Sequence, residues 1–369
     1  MRGRLLGGSA TVRGNMTISK IDAGSPRELA SVMHGDAWDL LRDFPAATFD
    51  SVLTDPPFAI GLTKNEYGRP HWDRSKIALD PAFWQEVRRV MMPGANLLAF
   101  GHPKTFARMS VAIEDAGFEV VDCLALIHGQ GFPAGFRHLD GELNRVGATD
   151  IAGDYAGFGN MLRPALEPIL MFRNKSSRES LASVISAGGV GGLNVEACRI
   201  PAGTENRSRT PGLVNGNQTW RVDRPARTKS TPPSTGRMPS NVLLHHREDC
   251  STDKCDVACP VDQVRDQGLA SRGRNEDATR FYQTFYHHPK ATKNERPVVD
   301  GMSGPTVKSL TVMDWLVRLA TRPGQLVLDP FAGTGTTLEA CARAGVRSIG
   351  FEREAAYLPL IEQRLERLV

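Results

Sequence analysis

An α/β fold built on an open, doubly wound, parallel-rich sheet is what this sequence predicts, from three features. Apolar runs of strand length alternate with helical patterns from about residue 31 to 172, and the alternation resumes at Thr306. Two of these runs end in an aspartate, Asp55 and Asp329. Behind the second, Gly333 and Gly335 open a turn that runs into a helical pattern, which is how an open α/β sheet builds a nucleotide-like pocket.

Taken in order, Ser31 to Asp36 reads as a short strand followed by a helix through Trp38, Leu40 and Leu41. Phe49 to Thr54 is the strand that delivers Asp55. Residues 59–76 are polar and glycine-rich, with Tyr67, His71 and Trp72, and suit a loop beside a site. Asp80-Pro81 caps and starts a helix whose apolar positions are Phe83, Trp84, Val87, Val90 and Met91, and Pro93-Gly94 stops it. A strand over Asn96 to Phe100, a helix over Thr105 to Ala116, a strand over Phe118 to Ile127, a Gly/Phe loop over Gly129 to Phe136 and a strand over Glu167 to Phe172 follow. From Asn174 to about Gly304 the alternation stops, and the whole stretch reads as an insertion. Within it Ala202 to Gly236 has six Lys and Arg against two acids, the composition of a solvated or partner-ordered segment. A helix through Leu310, Met313, Val317 and Ala320, the strand to Asp329, a helix over Thr336 to Ala344, a strand over Arg347 to Glu352 and an amphipathic helix to Leu368 complete the sheet.

Composition bounds the class. A chain of 369 residues with 40% hydrophobic and 23% charged residues is globular and large enough for a sizeable core. No apolar run approaches the roughly 18 residues of a membrane span, so no membrane is implied. Met1 to Ser25 carries Arg2, Arg4, Arg13 and Lys20 without a signal-peptide core and reads as a disordered basic tail, unless translation begins at Met16 or Met33. Six cysteines without a disulfide pattern point to a reducing, cytoplasmic location. The net charge of +4 is uneven: Met171 to Arg296 holds 20 Lys and Arg against 13 Asp and Glu, a candidate surface for a polyanion.

Two motifs carry chemistry. Asp55-Pro56-Pro57-Phe58 joins an acceptor-rich extended turn to an aromatic face, because two prolines remove backbone donors and forbid helix before them. That combination suits a planar heterocycle held by stacking while its amino group donates hydrogen bonds. Alone, it reads equally well as a strand-to-loop turn. The second motif, Phe331 to Thr337, lets backbone amides approach a ligand but lacks the lysine of a P-loop and the third glycine of a dinucleotide fingerprint. Glu352 ends the next strand, placed to bind ribose hydroxyls, and the pair points to a nucleoside-bearing cofactor.

With Gly304-Pro305-Thr306-Val307-Lys308-Ser309 ahead of the glycine turn, these motifs resemble those of the S-adenosylmethionine-dependent DNA amino-methyltransferases, in the permuted, beta-type order that places the catalytic motif first. The resemblance covers roughly residues 31–172 and 280–369. It implies a Rossmann-like methyltransferase sheet with a basic tail at 1–26, a catalytic half at 27–173, an inserted target-recognition region at 174–304 and a cofactor-binding half at 305–369. It implies further that Asp329, Phe331, Gly333, Gly335 and Thr336 line S-adenosylmethionine, that Glu352 holds its ribose, and that Asp36 contacts its adenine. Thr306 and Lys308 would lie near its carboxylate, although family members usually show His-Pro-Thr-x-Lys-Pro there. Asp55, Pro56, Pro57 and Phe58 would act on the exocyclic amino group of a base flipped out of double-stranded DNA, and Asp at the first motif position leans toward adenine N6 where Ser leans toward cytosine N4. Sequence-specific contacts would come from the insertion, including Arg221, Arg224 and Arg227. Permutation would set the strand before Asp36 beside the strand ending at Glu352.

Other readings stay open. The same fold could methylate cytosine N4, RNA or a protein amide, or could bind DNA without activity; a restriction endonuclease partner, an orphan role and the oligomeric state are equally open. Cytosine-C5 chemistry would want a nucleophilic Pro-Cys, and the sequence contains none. Cys250, Cys255 and Cys259, preceded by His245 and His246, raise the question of a zinc site, but structural zinc usually shows paired cysteines and the gaps of four and three residues here are irregular. The alternative is a set of free thiols in a loop; the question stays open, and no metal ligand is assigned.

Overall fold

In the computed structural model of the chain the described residues are 26–60, 75–129, 137–162, 164–175, 179–200, 236–247, 250–251, 254–257, 259–270, 279, 282–286, 296–304 and 307–368, with the backbone of 11–12 and 16–17. Thr306, the loop carrying Tyr67, His71 and Trp72, and the segment with Arg221, Arg224 and Arg227 lie outside them. In the segment read as a disordered tail, Thr11–Val12 pairs antiparallel with Met16–Thr17.

Nine strands form one sheet: β1 Ala30–His34, β2 Phe49–Thr54, β3 Met91–Phe100, β4 Glu119–His128, β5 Leu166–Arg173, β6 Val242–His245, β7 Gln283–Phe285, β8 Leu326–Asp329 and β9 Arg347–Glu352, in spatial order β1-β9-β8-β2-β3-β5-β4-β6-β7. All run in one direction except β5, which is antiparallel to both neighbours. β1 pairs in parallel with β9, from Ser348 opposite Ala30 to Glu352 opposite His34, so the sheet continues unbroken from the last strand to the first.

Side chains alternate between two cores, as a strand buried on both faces requires. On β3, Leu97 and Ala99 face one core and Leu98 and Phe100 the other; on β8, Leu328 and Val327 divide in the same way. Helices α1 Ala37–Arg42, α2 Pro81–Val90 and α3 Phe106–Asp115 cover the first face. Local sequence explains α2: Asp80 accepts from the amide of Ala82, Pro81 opens the first turn, and Phe83, Trp84, Val87 and Val90 form the buried stripe. The second face is covered by α6 Leu310–Ala320, α7 Thr336–Arg343 and α8 Leu358–Glu366. The fold is the doubly wound α/β sheet that the sequence implies.

The described parts of 174–304, expected to be an insertion, join closely to the sheet. The stretch 179–200, with helix α4 Leu181–Ser186, packs against the sheet itself. Val190 donates to the Pro93 carbonyl at 2.9 Å, and Asn96 Nδ2 donates to Gly192 O at 2.7 Å. Gly94, at φ +83°, lies so close that a Cβ there would stand 2.1 Å from the Val190 oxygen. Strands β6 and β7 then extend the sheet beyond β4. These strands have only four and three residues, too short for a periodic signal in sequence, and their pairing to β4 is a long-range contact that no local pattern encodes. Among the described residues no helix is long and apolar enough to cross a membrane.

One buried contact locks the glycine turn to α8. Arg364, fully buried, donates from Nε to the Thr334 carbonyl at 2.8 Å and pairs with Glu339 on α7 at 2.5 Å. Arg364→Met is expected to lower stability by about 3 kcal/mol, because it strands Glu339 in the interior. Urea unfolding of the variant checks this; a change below about 1 kcal/mol would show that the pair is not holding the turn.

Candidate active site

The carboxyl ends of the parallel strands share one edge, and the residues singled out in the sequence collect there. β8 and β2 are neighbours, yet the chain leaves β8 toward β9 and leaves β2 toward β3, in opposite directions across the sheet. Such a reversal opens a crevice between the two strand ends, where ligands of open α/β sheets bind. Asp329 ends one strand and Asp55 follows the other.

On the β8 side the turn is drawn tight by its own acids. Asp329 is buried and accepts from Thr54 Oγ1 at 2.8 Å and from the Phe331 amide at 3.1 Å, so a residue next to Asp55 ties the two motifs together. Glu352 accepts from the Gly333 amide at 2.8 Å and from the Glu354 amide at 2.8 Å. Gly333 and Gly335 have φ of +55° and +80°. A Cβ at Gly333 would meet nothing within 4 Å, so its backbone faces open space, whereas one at Gly335 would press on Ile361 at 3.0 Å. Thr336 is buried in the first turn of α7, and the Phe331 ring lies 5.4 Å from that of Phe83. Asp36 caps α1 by accepting from the Trp38 amide at 2.9 Å, and its other oxygen lies 3.8 Å from Arg353.

On the β2 side, Asp55 Oδ2 lies 3.2 Å from Lys308 Nζ, while Oδ1 is buried and accepts no hydrogen bond among the described residues. Lys308 also donates to Glu167 Oε1 at 2.6 Å and stands over the rings of Phe58 at 5.2 Å and Phe100 at 4.8 Å. Glu167 Oε2 is bonded to His128 Nε2 at 3.0 Å. The Phe58 ring lies 5.9 Å from His102. Lys308, expected beside a cofactor carboxylate, stands against the Asp-Pro-Pro-Phe motif.

Sequence reasoning missed Glu167 and His128. Glu167 is the second residue of a strand that is otherwise apolar up to Arg173, a buried-acid signal that could have been noticed. Its arrival at this edge, however, depends on β5 being antiparallel, so that its first residues lie beside the last residues of its neighbours.

Electrostatics separate these acids. Burial pushes the Asp55 carboxyl up to about 6; Lys308 opposes the rise, and Glu167 and Asp329 add to it. Burial likewise pushes Asp329 up to about 6 and Glu352 to about 7, against the hydrogen bonds each accepts. For Glu167, burial acts upward too, but Lys308 and His128 outweigh it and hold the carboxyl at about 2. Lys308 is raised above its ordinary value by Asp55 and Glu167, which overcome its burial. The crevice is therefore short of positive charge.

An acceptor turn with an aromatic face is set across a topological switch point from a glycine turn with two buried carboxylates, an arrangement with the shape and acceptors to hold a nucleoside-bearing ligand beside a second, amine-bearing group. The family model described as DNA methylase, for N6 and N4 methylation, matches residues 49–363, and the chain belongs to this family. Curated relatives share short stretches: the type II methyltransferase M2.DpnII of Streptococcus pneumoniae is 39% identical over 62 residues, 17% of this chain and 23% of the relative. The type II methyltransferase M.MthZI of Methanothermobacter thermautotrophicus is 48% identical over 50 residues, 14% of each. The matched stretches thus span about a quarter or less of these relatives' length. Among solved structures, the cytosine-N4-specific PvuII DNA methyltransferase aligns over 92% of this chain and 89% of its own, with a TM-score of 0.48 and 16% identity. A DNA modification methylase of Thermus thermophilus complexed with S-adenosyl-L-methionine aligns over 92% and 95%, with a TM-score of 0.44 and 20% identity.

The raised Asp55 carboxyl has a stability consequence that requires no turnover. A group held above its unfolded value of 3.8 favours the fold most while protonated, and that contribution is lost as pH rises from about 4 to about 6. Relative to Asp55→Asn, the natural chain is expected to lose roughly 1–3 kcal/mol over this interval. Urea titrations at a series of pH values check it, and a pH-independent difference would mean that Asp55 ionises as in water.

Proposed function

We propose that this chain is a site-specific DNA methyltransferase that moves a methyl group from S-adenosylmethionine to N6 of an adenine flipped out of double-stranded DNA. The observation that carries this reading is Asp55 Oδ1, a buried acceptor without a partner among the described residues, beside Phe58 at the switch point. A buried acceptor left unpaired costs free energy unless a ligand donates to it, and an exocyclic amino group on a stacked base is such a donor.

The crevice fits S-adenosylmethionine. Gly333 leaves its backbone open to a ligand, Glu352 retains lone pairs for ribose hydroxyls after accepting two amides, and Asp36 stands at the end of the neighbouring strand for the adenine. Three carboxyls raised by burial, Asp55, Asp329 and Glu352, favour a positively charged ligand, which would ease their ionisation. When bound, S-adenosylmethionine supplies an electrophilic methyl on a sulfonium centre.

The chain's own residues then prepare the nucleophile. Phe58 offers a face for the flipped base, and flipping costs a few kcal/mol that stacking and hydrogen bonding offset. Asp55 Oδ1 and the Pro56 carbonyl accept the amino hydrogens, which draws the nitrogen toward a pyramidal shape and frees its lone pair for attack. Lys308, held by Glu167 and through it by His128, fixes the other Asp55 oxygen and so aims Oδ1. A carboxylate at this position, in place of the serine that the family pattern associates with cytosine N4, favours adenine. The surplus of Lys and Arg between Met171 and Arg296 supplies phosphate contacts, so DNA binding weakens steeply with salt.

Incubating the protein with labelled S-adenosylmethionine and duplex DNA, then digesting to nucleosides, should yield N6-methyladenine; N4-methylcytosine instead would move the reading to the other amino base. Asp55→Ala is expected to abolish transfer while S-adenosylmethionine affinity, followed by calorimetry, stays nearly unchanged. Loss of both together would place Asp55 in the cofactor site. Glu352→Ala should weaken S-adenosylmethionine binding by roughly 1–3 kcal/mol, the range for losing charge-assisted hydrogen bonds. An unaltered dissociation constant would put Glu352 outside the pocket.

A further inference from the structure

At the far edge of the sheet, away from the crevice between β8 and β2, a second group of side chains takes no part in the chemistry above. His246 follows β6, Cys250 and Cys255 lie in the loop beyond it, and Cys259 immediately precedes helix α5 Pro260–Ala270. One ligand atom from each of the four lies within 4.8 Å of all the others. Cys250 Sγ is 3.4 Å from Cys255 Sγ, and His246 Nδ1 is 3.4 Å from Cys255 Sγ and 3.6 Å from Cys259 Sγ.

These separations are those of a coordination tetrahedron. With Zn–S near 2.3 Å and Zn–N near 2.0–2.1 Å, tetrahedral geometry puts sulfurs about 3.8 Å apart and sulfur and nitrogen about 3.5 Å apart. A disulfide would need about 2.0 Å between sulfurs, and all three thiols are free. The spacing His-x3-Cys-x4-Cys-x3-Cys lacks two separate pairs, which is why the sequence raises a zinc site without deciding it.

We propose that His246, Cys250, Cys255 and Cys259 bind one zinc ion in a closed structural site. Four protein ligands leave no position for water or substrate, which separates this site from a catalytic one. Soft thiolates with one imidazole in a tetrahedron select zinc over the hard cations. The surroundings already hold the ligands as such a site does. The Asp256 amide donates to Cys250 Sγ at 3.3 Å, and the His246 ring stacks on Tyr286 with centroids 4.4 Å apart and planes within 10°. The cluster's own apolar core is small, Leu244 and Val261 being its buried members besides Cys250 and Cys259. A core of that size gains from a metal staple. The staple would tie β6, α5 and, through the His246 amide on Phe285 O at 2.8 Å, the three-residue edge strand β7. Binding displaces the thiol protons to solvent, so three thiolates meet one divalent ion.

The test uses the full chain, expressed with zinc, purified under reducing conditions and analysed by elemental mass spectrometry. One zinc per chain is expected, and cobalt exchanged into the natural sequence should give the visible absorption of a tetrahedral thiolate site. A Cys255→Ser, Cys259→Ser double variant should lose both the zinc and the cobalt spectrum, while Cys123→Ser, at an exposed thiol outside the cluster, retains them. A natural chain that takes up neither metal on reconstitution overturns the proposal, as does full zinc retention by the double variant. Since the cobalt spectrum is read on the natural sequence, a poorly folding variant leaves the test intact, and methyl transfer plays no part in it.

Discussion

Three buried carboxylates and a fourth, Asp55, that is half-buried with one oxygen enclosed, gather at one edge of a sheet with Lys308 answering two of them, and they are the constraint on which the rest of this structure depends. Asp55, Glu167, Asp329 and Glu352 each lose hydration, and such a loss is tolerable only where hydrogen bonds or counter-charges replace the water. The fold supplies those replacements unequally. Glu167 receives Lys308 and His128 and is held firmly ionised, whereas Asp55 shares Lys308 and keeps one oxygen unsatisfied among the described residues. That inequality separates an acid satisfied by its neighbours from one that keeps an open acceptor. Two groups of the same chemistry, about 3 Å from the same ammonium, are pushed to opposite proton affinities by what else touches them.

The topology delivers these groups. Eight strands bring their carboxyl ends to the edge, and β5, running the other way, brings its amino end. A sheet of parallel strands alone would have put Glu167 at the opposite edge, leaving Lys308 with Asp55 only. The Thr54 hydroxyl on Asp329 couples the two motifs across neighbouring strands, so that the acceptor turn and the glycine turn hold a fixed relation. Arg364 fixes the glycine turn from the other side, through the Thr334 carbonyl. Function at the crevice is thus tied to packing several elements away, which is how a rigid scaffold positions reacting groups to within tenths of an ångström.

Strong local signals made much of this legible beforehand. The alternation of strands and helices, the Asp80-Pro81 start of α2 and the strand from Arg347 to Glu352 all follow from short-range patterns, whereas β1 beside β9 was expected only from the motif order of the resemblance. The stretch from 174 to 304 was less legible. Its described parts pack onto the sheet at Pro93, Gly94 and Asn96, and extend it by two strands whose three or four residues carry no period. The three cysteines and the histidines before them raised a zinc question that their irregular spacing left open, and only folding brings the atoms of His246 and the three thiols within 4.8 Å.

By itself the sequence determined two local motifs: an acceptor turn needs Asp and Pro next to an aromatic ring, and a close-approach turn needs glycine, and both requirements are local. Tertiary structure alone decided who partners whom. Lys308 stands far from Asp55 and Glu167 in the chain, and no spacing rule predicts that its ammonium bridges them. The direction of β5, the register of β8 against β2 and the depth of burial set that bridge together. Charge, proton affinity and the availability of an oxygen for a ligand depend on desolvation and on neighbours in space, and those are properties of the packed molecule rather than of the string.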